Sequence, residues 1–228
     1  MRRNVIAGLT VLSLTLLPAS QAQAQAYKSS LGWGGGVVST TSLNDGAAGS
    51  GTVLSLEPDL TWTAGMHYDR WFGGHIGVRG EGGFSRYVLP WTQGDRAIYT
   101  YSGDLSLMLR PAAPLPGRTL LPYLSGGVGF SRWGLGSGDP TTFGAAGATY
   151  DGNESFDLLI PFSVGLDFIT PWRWGEGPMV VRIEGRDHLQ LKSPFDPVDP
   201  DQGDFGMIHN FGVVLGLHTG LGILGGGF

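Results

Sequence analysis

The sequence contains no cysteine. That excludes disulfides, thiolate metal sites and a lipid-modified cysteine anchor. Charge is also scarce. Only 14% of residues are Asp, Glu, Lys or Arg, against the roughly 25% usual for soluble domains. A basic balance is missing as well: 14 Lys and Arg face 19 Asp and Glu. Arg2 and Arg3 precede an apolar N-terminal run, and setting them aside moves the net charge from −5 to −7. Nucleic acid is therefore not an expected partner. Beyond residue 26 no apolar run reaches the roughly 20 residues of a membrane helix, so a helical inner-membrane protein is excluded. Glycine is abundant, with Gly 40, but it has no triplet period, which excludes a collagen-like chain. Glycine mixed with aromatics and alternating residues points to β structure with close backbone approach.

The N-terminus has its own pattern. Met1-Arg2-Arg3 is basic, Val5 to Leu17 is predominantly apolar, and Pro18 leads into a run of Ala and Gln ending at Ala26. A charged start, a short apolar core and a small-residue cleavage region describe a secretory signal peptide. Cleavage after Ala24 or Ala26 fits; Ala26 leaves Tyr27 first. The expected division is residues 1–26 as signal peptide and 27–228 as one domain.

That domain alternates with period two. In Met179 to Leu191, Met179, Val181, Ile183, Leu189 and Leu191 share one face, while Arg182, Glu184, Arg186, His188 and Gln190 share the other. In Ser155 to Ile169 the apolar row runs from Phe156 to Phe168 and opposes Asp157, Ser163, Gly165 and Asp167. Leu54 to Trp71 sets Trp62, Met66 and Tyr68 against Thr63, His67 and Asp69. Five further segments repeat the pattern: Ser29 to Ser39, His75 to Leu89, Ala97 to Arg110, Leu120 to Trp133 and Phe205 to Leu217.

Eight segments is an even number, and each is long enough for the roughly 9–11 residues of a tilted membrane strand. In lipid every backbone group needs a partner, so the sheet must close. The expected fold is all-β: an eight-stranded antiparallel, transmembrane, up-and-down β-barrel. The alternative is a soluble lipocalin-like cup, which turns the apolar rows inward. Longer connections are expected outside the cell and shorter turns on the periplasmic side. Two aromatic girdles are expected. Tyr68, Trp71, Phe72, Phe168, Trp172 and Trp174 form the inner one; Tyr87, Trp91, Tyr99, Trp133 and Phe156 form the outer. Pro58 and Pro161 fall inside predicted strands and suggest bulges, because proline cannot donate to the ladder. Asp187 falls on the lipid side near an outer end.

Stretches such as His67-Tyr68-Asp69-Arg70-Trp71-Phe72-Gly73-Gly74-His75 and His209-Asn210-Phe211-Gly212-Val213-Val214-Leu215-Gly216-Leu217 resemble hairpin and closing-strand patterns of the small outer-membrane barrels that include the OmpA membrane domain and OmpX. The resemblance runs from Tyr27 to about Leu217. It implies an outer-membrane location, a monomer among outer-membrane lipids including lipopolysaccharide, and insertion by the outer-membrane assembly machinery. That machinery reads a C-terminal aromatic, a role Phe228 fits. The glycine-rich stretch Leu221 to Gly227 departs from the pattern.

The polar rows carry both signs. A luminal ionic network is expected from Arg79, Glu81, Asp104, Arg182, Glu184, Arg186 and His188, since paired charges can satisfy one another in a narrow interior. Catalytic signals are thin. Lipid A deacylases are eight-stranded barrels with a His-x-Ser pattern, but Gln190 stands where His188 would need a serine. His67 and Asp69 share a face and could form an acid–base pair without an evident nucleophile row. Nothing matches the palmitoyltransferase barrels residue by residue. Asp199 to Asp204 resembles a fragment of a calcium loop, but Asn210 stands at the twelfth position, where such a loop needs Glu. The expected function is a non-enzymatic barrel with a structural or surface-interaction role and no cofactor or metal. The alternatives are a lipid-modifying enzyme or a narrow pore.

Overall fold

The computed structural model describes residues 29–40, 43–44, 55–56, 60–72, 74–89, 96–111, 119–135, 142–143, 148–149, 156–174, 177–191 and 207–221. The barrel strands are β1 (Ser29–Thr40), β4 (Thr61–Phe72), β5 (Ile76–Leu89), β6 (Arg96–Leu109), β7 (Leu120–Leu135), β10 (Phe156–Trp174), β11 (Gly177–Gln190) and β12 (Ile208–Gly220). They close in the order β1-β12-β11-β10-β7-β6-β5-β4. Successive barrel strands pair antiparallel, and β12 returns to β1 with Ser30 opposite Gly220 and Thr40 opposite Asn210. Closure removes both sheet edges. Two short ladders lie in the connections: β2 (Leu43–Asn44) with β3 (Ser55–Leu56), and β8 (Thr142–Phe143) with β9 (Ala148–Thr149).

The expected eight strands are present, with changed boundaries. The strand predicted over Leu54 to Trp71 begins at Thr61, because Ser55 and Leu56 pair with β2. Pro58 lies outside the described residues. Pro161 lies inside β10 opposite His188, with no register shift on that side. On its β7 side the pairs resume in the same register, from Leu159–Gly129 to Phe162–Gly126. The ladder absorbs one missing donor without bulging. The irregularity between β10 and β11 falls instead between Ile169 and Arg173. Both strands continue beyond it to Trp174 and Gly177, so the hairpin is tighter than the turn predicted over Thr170 to Pro178. The last strand ends at Gly220 rather than Leu217.

Period two decides what faces where. The outward rows are apolar and exposed: Val128 is 62% exposed and Val164 59%. Each of the eight barrel strands adds to this belt, from Val37 on β1 through Trp62, Ile76, Leu105, Leu124, Phe162 and Ile183 to Leu215 on β12. The inward rows are polar and buried, among them Asp69, Arg79, Arg182, Glu184 and His218. A soluble cup would have the reverse arrangement. An exposed apolar belt around a closed barrel is a lipid-facing surface, so the chain spans a membrane with its strands.

Aromatics divide by parity. Phe72, Trp172, Trp174 and Phe156 face outward, in keeping with the girdles. Trp71, Tyr87 and Trp133 do not belong to them. They are buried inside the barrel, because each shares parity with a polar neighbour: Asp69, Ser85 and Ser131. Trp91 lies outside the described residues. Asp187 keeps its place near the strand end and accepts a hydrogen bond from His209 Nδ1 at 2.8 Å.

Candidate functional site

The barrel lumen collects the inward rows of all eight strands. At eight strands such an interior is just wide enough to be filled by side chains. Glycine makes local room. Gly165 on β10 stands opposite Tyr123 on β7, and a Cβ there would collide with the Tyr123 ring. Gly32 on β1 does the same for His67 and His218. Large luminal side chains thus cross the axis over strands that present none.

Tyr123 is the central post. The guanidinium carbon of Arg182 lies 4.4 Å from its ring centroid and that of Arg79 5.3 Å. Its hydroxyl donates to Glu184. Arg79 donates from Nε to Asp69 Oδ1 at 2.8 Å and from Nη1 to Glu184 Oε2 at 2.6 Å. Arg186 donates from Nη2 to Glu184 Oε1 at 2.7 Å, and from Nη1 to Glu81. Arg182 donates from Nη1 to Asp69 Oδ2 at 2.9 Å. Its Nε and Nη2 hold both oxygens of Asp167, at 2.6 and 3.0 Å. Arg110 reaches the same Asp167 at 2.5 Å, and its guanidinium lies 3.6 Å from the ring centroid of Trp71.

Four arginines and four carboxylates therefore form one connected chain along the lumen. Asp69 is 0% exposed, and Arg79, Glu184, Arg182 and Asp167 are also buried. Ions removed from water to this degree are tolerated because each has a counter-ion and further hydrogen bonds. Toward the other end neutral pairs fill the lumen beside the buried Asp157. Gln190 donates to Ser131 at 2.9 Å, Tyr87 donates to Asn210 at 3.3 Å, and the Tyr87 ring stacks on Trp133 at 5.2 Å.

Of the residues expected in the network, Arg79, Glu81, Arg182, Glu184 and Arg186 meet. Asp104 and His188 differ. Asp104 accepts from Ser106 Oγ at 2.9 Å and stands opposite Glu81 in the ladder, and it is Glu81 that takes Arg186. The main-chain carbonyl of His188 accepts from Asn210, and among the described residues no ion pair joins His188 to the chain of charges. Phe228 lies outside the described residues, as does the signal segment.

Sequence reasoning left out Asp69, Asp167, Arg110 and Tyr123. Parity held the signal, since all four lie on inward rows. What it lacked was the stagger of the ladders, which brings Asp167 level with Arg182 and Asp69 level with Arg79. It also paired His67 with Asp69 alone. The closed sheet adds His218, whose Nε2 and Nδ1 lie 3.0 and 3.2 Å from His67 Nε2.

No protein-family model matches the chain, and no curated protein matches it. Solved structures similar to it include Neisserial surface protein A, with a TM-score of 0.48 and 10% identity over 85% of this chain and 97% of that one. The outer membrane protein OprG of Pseudomonas aeruginosa scores 0.44 at 12% identity, over 86% and 98%. The outer membrane protein AlkL, determined in lipid bilayers, scores 0.40 at 17% identity, over 96% of each chain.

Proposed function

We propose that this chain is an outer-membrane barrel with a structural or surface-interaction role, its interior closed by its own side chains. The observation that carries this reading is the combination of an outward apolar belt with an ion-paired lumen. Arg79, Arg182 and Arg186 cross the axis to carboxylates on other strands, and such crossing chains occupy the space a water file would need. Export to a Gram-negative-type outer membrane follows from the signal pattern and from the barrel, because closed barrels are how β structure spans lipid. Its surroundings are then outer-membrane lipids, including lipopolysaccharide, and it acts as a monomer after insertion by the assembly machinery. A non-enzymatic role agrees with Gln190, whose amide is engaged by Ser131, where a deacylase row would offer a hydroxyl.

Two measurements on the purified barrel test the proposal. Planar bilayer recordings should show rare or very small openings, and steady large conductance contradicts a closed interior. Incubation with outer-membrane lipid followed by mass spectrometry should leave every acyl chain in place. Loss or transfer of a chain that depends on His188 or His67 establishes the enzyme instead.

A further inference from the structure

Most buried charged groups of the lumen are accounted for by the arginine–carboxylate chain. His67 and His218 stand at its edge, with His67 Nε2 3.4 Å from Arg182 Nη1. They lie on β4 and β12, either side of β1, and both are buried. Gly32 of β1 stands opposite both, and only a residue without Cβ leaves room for the two rings there. The ring centroids are 4.3 Å apart at 52°. His67 Nε2 lies almost equally far from both nitrogens of His218, so it addresses the edge of that ring rather than one lone pair. Asp69 Oδ2 completes the group, 3.9 Å from His218 Nδ1. One ligand atom from each of the three lies within 4.8 Å of the others.

We propose that His67, His218 and Asp69 bind one divalent transition-metal ion of the zinc type. Two imidazoles and one carboxylate suit zinc, cobalt, nickel or copper and not calcium or magnesium, which take oxygen ligands. Zinc–nitrogen bonds of about 2.0–2.1 Å set two tetrahedral ligands roughly 3.3 Å apart. The two histidines already stand near that spacing. Asp69 is oriented from behind, since Arg79 Nε holds its Oδ1 and leaves Oδ2 for the ion. Arg182 Nη1 now bridges Oδ2 and His67 Nε2, at 2.9 and 3.4 Å, so the ion must displace it, and the planar guanidinium then turns as one body about its remaining partner Asp167. A small cavity of about 10 Å³ opens beside His67, lined also by Thr63, Gly65, Glu81 and Arg186. It has room for about one water beside His67, and neither His218 nor Asp69 lines it. Charge does not forbid a cation. The four arginines are matched by four carboxylates, and Asp104 and Asp157 add further acid to the inward rows.

A proton shared between the two rings is the competing way to hold them, and metal analysis separates the two. The mature barrel is refolded into lipid with Zn²⁺ or Co²⁺ present, so that no entry path into the closed lumen is needed. Free metal is then removed on a chelating resin. Heat-modifiable gel mobility restricts the analysis to folded protein. The expected result is one zinc per barrel and, with cobalt, the intense visible absorption of a four-coordinate site. His67→Gln and His218→Gln should each lose the metal and the absorption, while the outward-facing His209→Gln keeps both. A folded wild-type barrel that retains no metal overturns the proposal without any variant. So does retention by the His67→Gln, His218→Gln double variant at the wild-type level.

Discussion

Glu184 shows what the lumen asks of one residue. It accepts from two arginines and a tyrosine while 2% exposed. Its carboxylate is thus the counter-ion shared by Arg79 and Arg186, and Tyr123 fixes its orientation. Glu184→Ala leaves buried cationic charge short of a partner. The expected loss of unfolding free energy is about 3–5 kcal/mol. Glu184→Gln keeps acceptor and shape, and should lose less. Urea titration of the barrel refolded in lipid, followed by tryptophan fluorescence, measures both. Coincident midpoints for wild type and Glu184→Ala would mean that water, not Glu184, neutralises the arginines.

At the scale of the strand, β7 shows why glycine is so common here. Its inward row carries Tyr123, Gly127, Gly129 and Ser131. An added Cβ at Gly127 would meet the Leu105 carbonyl and Ser106, and one at Gly129 the Gly103 carbonyl and Asp104. These are contacts with the neighbouring strand's backbone, which cannot rotate away. Gly80 on β5 faces outward with nothing within 4 Å of its added Cβ. Gly127→Val and Gly129→Val should therefore each destabilise the barrel by about 1–3 kcal/mol, the usual range for overpacking. Gly80→Val should be close to neutral. Folded fraction on unheated gels after refolding into vesicles reads the difference. A Gly80→Val barrel as damaged as the other two would point to backbone flexibility rather than space. Gly74 is a separate case: its φ of 82° closes the β4–β5 hairpin, a conformation that costs glycine little.

For the whole molecule, the decisive property is which rows face out. Val164 sits midway along β10 with its side chain exposed. In a membrane-spanning barrel Val164→Arg places a cation against hydrocarbon, at a cost of about 2–4 kcal/mol near the midplane. On a water-soluble barrel the same change would be nearly free. Reversible unfolding from vesicles distinguishes them, and an unchanged stability would remove the lipid from the account of this surface. The connections agree with a spanning barrel. Residues 73–75 and 175–176 join strands at one end, while 41–60 and 136–155 join them at the other and carry the two small ladders. The connection 110–119 on the first side is longer than 90–95 on the second, but the three longest, 41–60, 136–155 and 191–207, share one side, the usual asymmetry of such barrels.

Strand number, face polarity and the closed sheet were legible in the sequence, because period-two alternation is a local property that each segment carries by itself. Even Trp71, Tyr87 and Trp133 were readable, since parity with Asp69, Ser85 and Ser131 puts them inside wherever the strands end. The candidate site was half legible. Alternation marks Arg79, Arg182 and Glu184 as inward, but not at which height each sits. Height depends on register and on shear between neighbours, which closure sets for all eight strands together. That shear brings Arg79 to Glu184 across the axis and joins Asp167 to both Arg110 and Arg182. It also carries His218, 151 residues from His67 along the chain, to the other side of Gly32. A sequence specifies which residues face the lumen, whereas only the closed barrel decides which of them touch.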